Sequence, residues 1–296
     1  MNESVKMASS KAIRRSCRLL FAIFPVLYIL LIHPPVPLTG EEGFSVNRVN
    51  ERVMVLSRGH WDENMTAIDA GTNLVIVDTW SSPVAAEKAR AFIEKTFHKP
   101  VRYVINTHHH FDHAFGNQAF KKDSIEIVGH RFCPEDMKAE YGDETLRANY
   151  FKEAIEKADK PEYKLFLNET VTDIVKDFHL TTPTHLVDDQ ETLKTGDITI
   201  RLYHVPGLHT RSNLTIYVPE LGLVFTRRDF HKNSKPVFEE NPDFNKMISS
   251  LEDILASGKP VKYIMPGHGK PLSDPDLNVA LSYIKSIANQ NKKPRK

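Results

Sequence analysis

The sequence predicts an α/β protein in which helices pack on sheets. Two observations carry that class. From residue 45 onward, short apolar runs of strand length alternate with amphipathic stretches at helical spacing. Composition is ordinary for a globular chain: 41% of the 296 residues are hydrophobic and 26% charged. That excludes long disorder, collagen and a multi-span membrane protein. The formal net charge of +1 argues against a nucleic-acid binder, which would show a basic excess. Two cysteines cannot build a disulfide scaffold.

The first forty residues read separately. Lys6, Lys11, Arg14, Arg15 and Arg18 stand against Glu3, and residues 19–32 then run apolar without a charge. A basic start before a short apolar run reads as an export signal, cleaved or kept as an anchor. As a helix the run spans about 21 Å at 1.5 Å per residue, short of a bilayer core of about 30 Å. The expected organisation is a signal segment over 1–40 and one domain over 41–296. Without its first 40 residues the chain loses five positive charges and one negative, which leaves −3, and it keeps only Cys133.

Within the domain, residues 53–56 and 74–77 read as strands. Residues 85–97 read as a helix, because Ala89, Phe92, Ile93 and Phe97 share a face and Pro83 suits a first helical turn. Residues 101–105 form a strand that runs straight into a histidine cluster, and 125–128 form another. Between Glu135 and Asp177 the chain turns polar and helix-forming, with a helix over 145–157; this reads as a helical insertion over the site. Residues 198–203, 214–218 and 223–225 return to strand. A helix over 244–255, a strand over 261–264 and a helix over 277–287 complete the order.

The cluster is Thr107-His108-His109-His110-Phe111-Asp112-His113, and it holds four of the chain's 14 histidines. It follows a buried strand, where a sheet presents groups to a cleft. His108 and His110 are two apart and point the same way from extended chain. Asp112 and His113 come after a turn and reach a second position nearby. Neutral imidazoles with a carboxylate are what zinc accepts.

The segment from Tyr103 to Asn117 resembles the metallo-β-lactamase superfamily signature His-x-His-x-Asp-His, and the resemblance extends across residues 45–296. Residues 67–78 look like the family's opening hairpin, with Asp78 in a Val-Asp-Thr setting. Pro206-Gly-Leu-His209-Thr is similar to the third-histidine motif, with Leu208 added, and Pro266-Gly-His268-Gly to the last ligand motif. The resemblance implies a four-layer αββα sandwich. It implies one zinc on His108, His110 and His209 and a second on Asp112, His113 and His268. It also implies hydrolysis of a small acyl substrate (an ester, lactone, thioester or cyclic amide) by metal-activated water, with Asp112 as proton carrier. The ligand set is closest to the His/Asp-only β-lactamase subclass; a β-lactamase proper, a mononuclear iron sulfur dioxygenase and a non-catalytic metal-binding protein are the other readings.

One motif departs from the family. The metal-bridging acid belongs in a Gly-Asp pair, which an ungapped alignment places on Arg227 and Arg228. A one-residue shift in the turn at 219–222 puts Asp229 there instead, and Asp229 is expected as the bridging ligand. Arg228 is then a candidate for a substrate carboxylate, which a guanidinium matches with two parallel hydrogen bonds. Asn64, Asn168 and Asn213 stand in Asn-x-Thr sequences, glycosylation sites only on a eukaryotic secretory route.

Overall fold

The structure is a computed structural model and describes residues 43–174, 178–207, 209–226 and 242–291. The expected signal segment, Arg228 and Asp229 lie outside them. Among the described residues no helix is long and apolar enough to cross a membrane.

The first sheet has seven strands in chain order: β1 (Ser45–Asn50), β2 (Val53–Arg58), β3 (Glu63–Asp69), β4 (Leu74–Val77), β5 (Val101–Ile105), β6 (Glu126–His130) and β7 (His185–Val187). β1 to β4 pair antiparallel through short turns, and β4 to β7 pair parallel. The second sheet holds β8 (Gln190–Thr195), β9 (Ile198–His204), β10 (Leu214–Val218), β11 (Leu223–Phe225), β12 (Tyr263–Met265) and β13 (Leu272–Ser273). Its one parallel pair is β11 with β12. A parallel pair needs a crossover connection. α1 (Pro83–Phe97) lies in the connection between β4 and β5, and α6 (Phe244–Ala256) in the one between β11 and β12.

Strand side chains alternate between faces, which sorts the apolar residues into layers. Val53 and Val55 of β2 face the second sheet and meet Ile200, Leu202 and Ile216 in the inter-sheet core. Met54 and Leu56, one position along, face outward onto Ala86, Ala89 and Ile93 of α1. On the far side Tyr217, Val224 and Ile264 pack under Met247, Leu251 and Ile254 of α6 and Ile284 of α7 (Leu277–Asn291). The layers are helix, sheet, sheet and helix, the expected αββα sandwich. Ser82 caps α1 by accepting from Ala85 N at 3.2 Å, and Pro83 takes its first turn.

The helical insertion is present as α3 (Cys133–Tyr141), α4 (Glu144–Lys157) and α5 (Pro161–Ile174). Its apolar faces converge on α2 (Phe111–Ala114), the turn that carries Asp112 and His113. Met137, Tyr141, Phe151, Phe166 and Leu167 bury against Phe111 and Phe115.

Candidate metal centre

The site lies where the parallel pairs β4–β5 and β11–β12 end. Val77 sits opposite Ile105 and Phe225 opposite Met265, so the segments after β4, β5, β11 and β12 leave their sheets at one end. The loop 205–213 between β9 and β10 joins them and brings His209. Leu214 N donates to Thr107 O at 2.8 Å, tying this loop's exit to the histidine cluster across the two sheets.

His108, His110 and His209 offer one set of ligand atoms, and Asp112, His113 and His268 a second; within each set the atoms lie within 4.8 Å of one another. His108 and His110 leave an extended stretch, with His110 at φ −61° and ψ 148°, and α2 begins at the next residue. The switch from extended chain to helix therefore sends His108 and His110 to one position and Asp112 and His113 to the other. His110 contacts His108 at 4.8 Å and His209 at 4.6 Å between ring centroids.

Hydrogen bonds fix which nitrogens face inward. The Thr107 hydroxyl lies 2.8 Å from Asp78 Oδ2 and donates its only proton there, so it accepts from His108 Nδ1 at 3.0 Å. His113 Nδ1 donates to Asp78 Oδ2 at 2.8 Å, and His268 Nδ1 to Trp61 O at 3.0 Å. In the neutral form of all three rings this leaves the lone pair on Nε2. His108 Nε2 is buried with no hydrogen-bond partner among the described residues. An orphaned buried acceptor beside two more imidazoles is chemistry that fits a metal ion.

Electrostatics agree for His108 and His110. Burial lowers the pKa of His108, and the neighbouring His113 and His110 lower it further. Burial takes His110 down to about 4. Both rings are neutral at pH 7, the form that ligates. Burial opposes ionisation of Asp112, yet His113 and His268 hold its carboxyl well below the usual range. Burial also opposes a charge on His113, but the carboxylates of Asp112 and Asp78 raise its pKa. Asp112 Oδ2 lies 3.0 Å from His268 Nε2 and 3.4 Å from His113 Nε2.

Several positioning residues went unassigned in the sequence reading. Asp78, at φ 58° just after β4, accepts from Thr107 N, Thr107 Oγ1 and His113 Nδ1, so one carboxylate orients both ligand sets. Asn64 of β3 donates both amide protons to the His268 loop, to Pro266 O at 2.9 Å and Gly269 O at 2.7 Å. That buried amide is not open to glycosylation in the folded chain, and Asn213 is likewise buried. Gly267 passes so close to His113 that a Cβ there would stand 2.4 Å from His113 Cε1. His109 points away from both ligand sets, with Nδ1 2.8 Å from Ser212 Oγ and Nε2 3.1 Å from Glu140 Oε1 of α3. Asp78 and Gly267 had signals in the sequence, an acid at a strand end and a glycine where the His268 loop must come close; the others depend on contacts made by folding.

The ligand sets face a cavity of about 440 Å³. Tyr150 of α4 and Tyr163 of α5 line it, so the insertion does cover the site. Phe225 and Thr226 line it too. Thr226 is the last described residue before Arg228 and Asp229, so the expected bridging acid and substrate contact are not placed.

With this fold and this ligand geometry, comparison with known proteins defines the class. A family model described as the metallo-beta-lactamase superfamily matches residues 58–226, and the chain belongs to that family. Two relatives are more particular. The chain is 31% identical over 122 residues to 2,4-dinitroanisole O-demethylase subunit alpha of Nocardioides sp. strain JS1661, covering 40% of this chain and 37% of that protein. It is 26% identical over 183 residues to alkyl/aryl-sulfatase BDS1 of Saccharomyces cerevisiae, covering 55% of this chain and 27% of the other. The matched regions thus span about a third of those relatives' length. Among solved structures, a metallo-beta-lactamase from Pontibacter korlensis superposes with a TM-score of 0.54 at 15% identity, over 82% of this chain and 99% of that one. One from Erythrobacter litoralis gives 0.54 at 19% identity, over 84% and 97%. These likenesses bear on the fold alone.

Proposed function

We propose that the protein is a zinc-dependent hydrolase of small acyl substrates: esters, lactones, thioesters or cyclic amides. The observation that carries this reading is the pair of three-ligand sets facing one cavity. His108, His110 and His209 hold one ion; Asp112, His113 and His268 hold the other. When bound, the metal activates water and polarises the substrate carbonyl. Asp112 takes the proton from the attacking water and passes it toward the leaving group, a general base that then serves as acid. Asp78 and the Trp61 carbonyl keep His113 and His268 in the tautomer this requires. Asp229 would complete the ligand set as the expected bridging acid, and Arg228 would meet a substrate carboxylate. Asp229→Asn then lowers metal content toward about one ion per chain, because a neutral amide cannot offset two close cations, while Arg228→Ala leaves it unchanged.

The test is elemental analysis of the purified protein beside a panel of phenyl ester, lactone, thioester and chromogenic cephalosporin, each run with and without a strong chelator. Hydrolysis of one class that stops on chelation is the expected result. Metal-replete protein that turns over no acyl substrate contradicts the reading. Cleavage of an aryl methyl ether or a sulfate ester is a second reading, favoured by the similarity to a dinitroanisole demethylase subunit and an alkyl/aryl-sulfatase. Adding anisole and aryl sulfate substrates to the panel tests it. Residues 1–40 are proposed to carry the domain out of the cytoplasm; full-length protein soluble in the cytoplasm of its host would contradict that.

A further inference from the structure

The cavity has one wall made of rings, and most of it comes from the helical insertion. Trp61, in the turn between β2 and β3, meets Tyr163 in the first turn of α5 with ring centroids 4.7 Å apart and planes at 47°. Tyr163 stacks on Phe166 at 6.2 Å, and Phe166 stacks on Phe111 at 5.9 Å. Tyr150 of α4 closes onto Phe111 edge to face, also at 5.9 Å. Phe111 directly precedes Asp112, and Trp61 holds His268 through its carbonyl. The rings are thus fixed relative to the Asp112, His113 and His268 set. Trp61, Tyr150 and Tyr163 are only half-buried, and all three line the cavity. Lys160 holds Trp61 in turn, with its ammonium 5.5 Å from the ring centroid.

This wall has a chemical preference. Among the described residues no lysine or arginine lines the cavity, and its only carboxylates, Asp78 and Asp112, are engaged with the histidines. A charged substrate group placed against the ring faces would lose water to an apolar surface. A flat neutral ring would instead meet aromatic faces and edges, with each ring pair adding about two- to tenfold in affinity beyond buried area.

We propose that Trp61, Tyr150 and Tyr163 form a subsite for a neutral aromatic ring attached to the scissile bond, which makes aryl esters and aryl-fused lactones the favoured substrate class. The substrate class rests on the hydrolase reading; the ring subsite does not. The ring lies on the Asp112 and His268 side, within reach of the carboxylate that hands a proton to the leaving group. Tyr163 is the specificity-determining residue, because it joins the insertion to Trp61, the residue whose carbonyl holds His268.

Two readouts separate the subsite from the chemistry. The chain has two tryptophans, and Trp80 is fully buried, so quenching of accessible tryptophan fluorescence reports on Trp61. Nitrobenzene and nitrocyclohexane carry the same quenching group on a flat and a puckered ring. Titrated into the metal-loaded full chain, nitrobenzene should quench saturably and at least about fivefold more tightly than nitrocyclohexane. Tyr163→Leu should weaken nitrobenzene about five- to tenfold, Tyr163→Phe should keep it, and Trp61→Phe should remove the saturable signal. The second readout is the ratio of kcat/KM for phenyl acetate over ethyl acetate. Intrinsic ester reactivity cancels when that ratio is compared between native protein and Tyr163→Leu, and it should fall about five- to tenfold. Saturable nitrobenzene binding without hydrolysis of either ester upholds the subsite and removes the hydrolase reading. Equal affinity for the two nitro compounds, or an unchanged ester ratio in a folded Tyr163→Leu variant, overturns the subsite and leaves the hydrolase reading standing.

Discussion

At the scale of single residues, the site depends on groups that aim the ligands as much as on the ligands. Asp78 accepts three hydrogen bonds from the β5 end and α2. Removing such an orienting carboxylate costs about 10–100-fold in metal affinity. Asp78→Ala should lose that much in competition with a chelating dye, while its far-ultraviolet circular dichroism stays native; unchanged affinity would remove Asp78 from this role. Glu63 behaves differently. Burial pushes its pKa up to about 7, although Arg58 at 2.7 Å pulls the other way. In the unfolded chain a glutamate ionises near its ordinary value of 4.5. Between those values the unfolded state has released a proton that the folded state keeps, so stability falls as pH rises through the window. Glu63→Gln cannot ionise. Denaturant titrations of chelator-treated protein at pH 5 and pH 7.5 should show native stability declining relative to this variant; parallel curves would refute the shift. Within the cluster His108, His110 and His113 were legible because their spacing separates two directions; His209 and His268 were reached through the family resemblance. Asp78 and Asn64 were not given their roles, since parallel pairing of β4 with β5, and docking of the His268 loop on β3, are what bring them to the site.

At the scale of elements, strands and helices with a continuous apolar face were readable and the others were not. The strands β2, β4, β5, β6, β9, β10, β11 and β12 and the helices α1, α4, α6 and α7 stand within a few residues of their expected bounds. β1 was not assigned: Ser45-Val-Asn-Arg-Val-Asn50 mixes polar and apolar residues at a sheet edge, with three residues half-buried and none fully buried. β7 and β13 have three and two residues, too few to show a period. The insertion was expected as helical, but its convergence on Phe111 is a tertiary fact. The His268 loop has no regular structure and is held by Asn64, whose two amide protons are both used there. Asn64→Ala strands two carbonyls and should lower unfolding free energy by about 1–3 kcal/mol. It should also weaken the Asp112, His113 and His268 set more than the other. A loss of stability with both metal affinities unchanged would make Asn64 a fold residue only.

At the scale of the whole molecule, two sheets supply the site from one end, and neither could do so alone. The first sheet carries His108 to His113; loops of the second carry His209 and His268. The α/β class was legible because a strand pattern recurs on both sides of the insertion; the αββα sandwich itself was implied by the family resemblance. Arg228 and Asp229 remain the part of the reading that lies outside the described residues. The central claim is that six side chains hold metal as two adjacent sets. Elemental analysis of the full chain after zinc loading and gel filtration tests this most directly. The native protein should carry about two ions per chain, as in two-metal hydrolytic sites, and a His110→Ala, His113→Ala double variant, altered in both sets, should carry almost none. Native protein that retains no zinc, or a folded double variant that retains the full complement, would contradict the account.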